Sequence, residues 1–185
     1  MSMSQEGLFM KKLLWAALAW SLLSTVSRAQ ETPRVDVATG YSFFYIVKGF
    51  TIPMNGANGT VAVHSTNWLA LAGDAGVYHN VSNDLTATTY TFGPRIYYYR
   101  VGHSALFAQA LLGGTHFSKP FGQEPAAQGN HFTYSFGFGA DVPLLSGGKL
   151  ALRPQIDYYG VQINGARLNN VRFAIGLVLR FGRRR

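Results

Sequence analysis

The chain of 185 residues contains no cysteine. That excludes a disulfide framework, a thiolate metal site, a cysteine nucleophile and a lipid-modified N-terminal cysteine. Charge is also scarce: only 8 residues are acidic, and charged residues make up 13% of the total. Nor is there an apolar run of the ~20 residues that a membrane-spanning helix needs. The longest candidate is LLWAALAWSLLSTV at 13–26, which follows Lys11-Lys12 and precedes Ser27-Arg28-Ala29. A basic start, a short apolar stretch and a small-x-small site describe a signal peptide. Cleavage is expected after Ala29, and Met1, Met3 and Met10 are all possible start codons. Removing residues 1–29 leaves 156, enough for a single domain with 13 Lys+Arg and 7 Asp+Glu. Three of the positives are the terminal Arg183-Arg184-Arg185, read as a basic tail. No basic stripe or motif marks a nucleic-acid partner, so none is expected.

Gly, Tyr and Phe are abundant, which favours strands over helices. The last strand shows the pattern most clearly. In VRFAIGLVLRF (171–181), Val171, Phe173, Ile175, Leu177, Leu179 and Phe181 share one face, and Arg172, Ala174, Gly176, Val178 and Arg180 share the other. The same alternation predicts eight strands at about 35–45, 59–65, 68–78, 87–99, 104–116, 131–142, 149–160 and 170–181. Between them, 65–67, 101–103 and 146–148 read as tight turns, and 46–58, 79–86, 117–130 and 161–169 as longer loops. Short turns on one rim and long loops on the other predict an all-β, eight-stranded antiparallel up-and-down transmembrane barrel over 30–182. Both termini would then be periplasmic and the long loops extracellular.

The strand charges sharpen that reading. Phasing each strand by its large apolar residues places Asp36, Asp74, Arg95, Asp141, Arg153, Asp157, Arg172 and Arg180 on the face away from lipid. A lipid-facing charge near the bilayer centre would cost about 2–4 kcal/mol. An eight-stranded interior is just wide enough to be filled by side chains, so these residues are expected to form a polar network plugging the lumen. Symmetry about the turns predicts the pairs Asp141–Arg153, Asp157–Arg172 and Asp74–Arg95, with Asp36 meeting Arg180 where the barrel closes.

YTFGPRIYY (90–98), LFAQALLGG (106–114), FGADVPL (138–144), LRPQIDYY (152–159) and LVLRFG (177–182) together resemble the small outer-membrane β-barrel domain of the OmpA/OmpX type. The resemblance implies outer-membrane lipid and lipopolysaccharide as surroundings. It also implies the outer-membrane assembly machinery as a partner during insertion, with Phe181 as the terminal aromatic of its recognition signal. Gly182 and three arginines follow that aromatic, a departure from the usual pattern. No tethering to the cell wall is implied.

Other chemistry is not expected. His64-Ser65 and His103-Ser104 are the only His-Ser neighbours, both map to short turns, and strand neighbours point to opposite faces, so no catalytic residue is assigned. His79, His116 and His131 form no recognised ligand spacing, and neither a metal nor a cofactor is expected. Asn58-Gly59-Thr60 and Asn80-Val81-Ser82 read as turns, while Tyr97–Tyr99, Phe43, Phe44, Phe132 and Tyr158 read as aromatic girdles. The function expected is a structural or surface-interaction role for an outer-membrane barrel, with an extracellular partner engaged through 46–58 and 117–130. The alternatives are a soluble lipocalin-like carrier of an apolar ligand and a small lipid-modifying barrel.

Overall fold

A computed structural model describes residues 34–47, 51–82, 84–101, 103–119, 128–163 and 165–182, with only the backbone described at Tyr99 and Arg100. The expected signal peptide, Asn164 and the basic tail lie outside these residues. Eight strands follow in order: β1 (Val35–Val47), β2 (Thr51–His64), β3 (Leu69–Asn80), β4 (Leu85–Val101), β5 (Ser104–Phe117), β6 (Gly129–Pro143), β7 (Leu150–Ile163) and β8 (Ala166–Phe181). Each pairs antiparallel with the next, and β8 pairs with β1 to close the barrel. The all-β, eight-stranded architecture is the one the alternation predicts.

Closure at the seam depends on Gly40 and Gly176, which are register partners on β1 and β8. A Cβ on Gly40 would lie 2.5 Å from the Ile175 carbonyl oxygen, and one on Gly176 would lie 2.6 Å from that of Thr39. Only glycine fits two backbones this close.

The wall is apolar outside. Phe43, Leu71, Phe92, Phe138, Phe173, Ile175, Leu177 and Leu179 are all exposed, and Phe92 is 65% accessible. Their strand neighbours are buried or half-buried, because successive side chains leave opposite faces of the sheet.

Strand ends differ from expectation at one rim. The segment 46–58 is not a long loop: β1 runs to Val47 and β2 starts at Thr51. Its Pro, Asn and Gly residues look like turn chemistry, yet Ile52 and Met54 are buried inward and pull the segment into the wall. Pro53 is tolerated because it pairs with Tyr45 of β1 where β2 has run past its β3 register, so no ladder donor is needed on that side. Asn58, Gly59 and Thr60 accordingly lie within β2 rather than in a turn. The segment 161–169 is likewise strand except at 164–165, with Gly165 at φ +82° supplying the tight reversal. Of the four expected long loops, only the β5–β6 connection, 118–128, is long.

Candidate functional site: the barrel interior

The barrel end at Val35 and Phe181 is the terminal end, and the end at Phe117 and Gly129 the far end. All eight charged residues phased away from lipid project inward. Arg95 and Arg172 are fully buried, and Arg180, near the terminal end, is half-buried.

Arg172 is the hub. Its guanidinium donates to both carboxylate oxygens of Asp74, at 2.6 and 3.0 Å. It also donates twice to Asp157, at 2.9 and 2.8 Å, and once to the Tyr78 hydroxyl at 3.0 Å. The remaining lone pairs are occupied: Thr60 and Tyr159 donate to Asp74, and Gln109 and Gln155 donate to Asp157. Buried charge is tolerable when paired and saturated in this way. The Gln109–Asp157 bond crosses Gly137, where a Cβ would fall 1.8 Å from Asp157 Oδ1.

Two further clusters lie toward the terminal end. Arg153 forms a bidentate pair with Asp141, at 2.6 and 2.9 Å, and Arg180 adds a third donor at 2.9 Å. Arg180 also donates to the carbonyls of His103 and Gly148, tying two turns to β8. Asp36 accepts two bonds from Arg34, at 2.9 Å each, and lies 2.9 Å from His64 Nε2, whose ring stacks on Tyr97.

Asp141 therefore sits with Arg153, and Asp157 with Arg172, as the turn symmetry predicts. The other two expected pairs do not form. Asp74 is in register with Thr91, not with Arg95, and bonds across the lumen to Arg172 instead. Arg95 donates to Gln109 Oε1 at 3.0 and 2.6 Å and lies 4.4 Å from the Phe107 ring centroid. Asp36 and Arg180 are register partners, but their side chains turn to Arg34 and His64 and to Asp141 respectively. Turn symmetry describes only neighbouring strands, while long side chains in a narrow lumen reach across it.

Sequence reasoning missed Arg34, His64, Gln109, Gln155, Tyr78 and Tyr159. Strand phase places all of these except Arg34 inward, and a search confined to charged residues passed over them. Phe44 and Tyr97 were expected in aromatic girdles but are buried inside, as their even and odd positions on β1 and β4 require.

The far-end half of the interior is mainly apolar, although Asn80, Thr115, Thr133 and Asn170 are also buried there. Ile46, Ile52, Met54, Leu85, Ala87, Phe117, Val161, Ile163 and Leu168 form one buried apolar cluster. Phe44 stacks on Tyr78 at 4.6 Å between ring centroids and meets Tyr159 edge-on at 5.6 Å. These two tyrosines turn their hydroxyls to the Arg172 hub and their rings to the cluster. The lumen is thus a polar half capped by an apolar plug, rather than one continuous charge network.

The exterior of the far end carries polar cross-strand contacts: His79 with Thr86 at 3.1 Å, His116 with Asn130 at 3.0 Å, and Tyr158 with Asn169 at 2.6 Å. The three rim histidines do not converge, and no group of metal-binding side chains forms among the described residues. Exposed Asp84 accepts from Lys119, which holds its carboxyl below the usual value.

Solved structures share this fold. Neisserial surface protein A superimposes with a TM-score of 0.61 at 12% identity, covering 80% of this chain and 97% of that one. The N-terminal β-barrel domain of Pseudomonas aeruginosa OprF gives 0.58 at 15% identity, over 82% and 100% of the two chains. The outer membrane protein OprG from the same organism gives 0.58 at 9%, over 83% and 98%. No protein-family model matches the sequence, and neither does any curated protein. The chain has the fold of the small eight-stranded outer-membrane barrels of the OmpA/OmpX type.

Proposed function

We propose that this chain is an integral protein of the bacterial outer membrane, exported by residues 1–29, with a structural or surface-interaction role and no catalytic activity. The observation that carries this reading is the inverted wall. Large apolar side chains cover the outside, while the described strand charges from Asp36 to Arg180 point inside, Arg167 excepted. A soluble carrier needs the opposite arrangement, with a polar exterior around an apolar cavity. With the terminal end in the periplasm, the β1–β2 and β5–β6 connections both belong to the outward end, and the longer one, 118–128, is the candidate contact for an extracellular partner.

His64 is engaged by Asp36 on the inner face, whereas Ser65 is exposed, an arrangement that lends no support to a nucleophile–base pair there. Exposed Phe181 closes β8 beside Val35 and is the residue we assign to recognition by the assembly machinery. Cell fractionation tests the location. The mature protein should begin at Gln30, enter the outer-membrane fraction and run differently on gels before and after boiling. Recovery from the periplasm as a monodisperse protein without detergent would overturn the reading in favour of the carrier. Phe181→Ala should slow insertion, measured as the yield of the heat-modifiable form; unchanged yield would remove its assigned role.

A further inference from the structure

Of the charged strand residues with described side chains, eight point into the barrel and Arg167 alone points outward, exposed at the far end of β8. Its height on the wall is well defined. Outward positions of β8 from Phe181 to Val171 are apolar, and the next two are Asn169 and Arg167. On β7 the register partners change at the same level, with Tyr158 beside Val171, Gly160 beside Asn169 and Gln162 beside Arg167. Arg167 thus stands just beyond the apolar band, at the level where a membrane's headgroups begin.

The surrounding residues form a platform of donors. Arg167 Nη1 donates to the Tyr134 hydroxyl at 3.4 Å. The Tyr134 ring lies over Gly160, where a Cβ would approach the ring to 2.2 Å. Tyr158 donates to Asn169 Oδ1 at 2.6 Å, leaving the Asn169 amide nitrogen free to donate outward. The exposed Gln162 amide completes the group. Among the described residues no carboxylate lies within ion-pair distance of Arg167. A planar guanidinium without an acidic partner, flanked by amide donors, matches a phosphate's oxygens.

Resting on the outer-membrane reading and on an outward-facing far end, we propose that Arg167, Gln162, Asn169 and Tyr134 bind the phosphate of an outer-leaflet lipid headgroup. Its acyl chains would lie against Phe136 and the apolar wall below. Native mass spectrometry of the refolded protein in zwitterionic detergent, titrated with diphosphoryl lipid A and with dephosphorylated lipid A, tests the site. Wild type should prefer the phosphorylated form, and Arg167→Gln should reduce that preference about fivefold, the effect of one basic residue near a charged membrane surface. Arg167→Lys should retain part of it. Equal binding of the two lipids by wild type, or an unchanged preference in Arg167→Gln, would overturn the proposal. Complete competition by inorganic phosphate would overturn the lipid as its source. Insertion into phosphatidylcholine vesicles does not involve this site. If wild type and variant both insert, the membrane reading stands whatever the lipid result; if neither inserts, that reading and the site fall together.

Discussion

Arg172 and Arg95 offer a controlled comparison, because they are the same residue type, both fully buried in one lumen, with different partners. Arg172 donates to two carboxylates, whereas no carboxylate accepts from Arg95, which rests on Gln109 and the Phe107 ring. Arg172→Met would leave Asp74 with Thr60 and Tyr159, and Asp157 with two glutamine amides, all neutral donors. Removing one member of a buried ion pair costs about 3–5 kcal/mol, because the other charge stays buried. Arg95→Met leaves neutral partners, the Gln109 carbonyl first among them, without their donor, a loss of about 1–3 kcal/mol that the methionine's packing against Phe107 partly offsets. Urea unfolding in phospholipid vesicles, followed by the shift between the fast and slow gel forms, measures both. The expected order is a large loss for Arg172→Met and a small one for Arg95→Met. Adding Asp74→Asn to Arg172→Met should recover part of the larger loss. Equal losses for the two arginines, or strictly additive effects of Arg172→Met and Asp74→Asn, would refute the claim that carboxylate pairing, rather than burial alone, sets the energetics of this lumen.

In the Asp141 cluster, Arg153→Ala alone should cost less than Arg172→Met, because Arg180 still donates to Asp141; the triple change with Asp141→Ala and Arg180→Ala should be milder than Arg153→Ala with Arg180→Ala. Gly176→Val should block closure of the seam, read as loss of the heat-modifiable form, whereas Gly147→Ala, with open space around its would-be Cβ, should assemble normally. Phe117→Ala combined with Leu168→Ala should produce ion conductance in planar bilayers, and Asp74→Asn with Arg172→Met should not. The reverse result would locate the barrier in the charge network.

The fold was legible in the sequence because a barrel strand repeats one two-residue rule, and β8 states it without a break from Val171 to Phe181. Strand length was not legible. Thr51–Asn58 carries the Pro, Asn and Gly residues of a turn, and only pairing with β1, and from Asn55 with β3, together with the burial of Ile52 and Met54 makes it a strand. Facing direction could be read residue by residue, which is why Asp36, Asp74 and Arg95 were placed inside. Partners could not, because Asp74 and Arg172 are 98 positions apart and meet only after the barrel has closed. The register, which sequence symmetry approximates near a turn, brings Asp157 beside Arg172 but leaves Asp74 opposite Thr91.

The apolar half of the lumen follows from the same geometry. Inward positions near the far end belong to strand ends that continue past the outer apolar band, as β7 and β8 do between Tyr158–Val171 and Ile163–Ala166. On the outer-membrane reading, water rather than lipid surrounds the wall there, and the inward face must supply a core of its own. Ile163, Leu168, Val161 and Phe117 supply it in the manner of a soluble β-barrel. Lower down, on the same reading, lipid stabilises the outer face, and the inside can hold ion pairs. Water and ions can solvate displaced charges in that lower half, because the charged groups there make hydrogen bonds that water can replace. They gain nothing from a packed apolar plug, which resists by dewetting. Resistance to permeation is therefore expected of residues that carry no charge, and the charged residues are expected to hold the wall together.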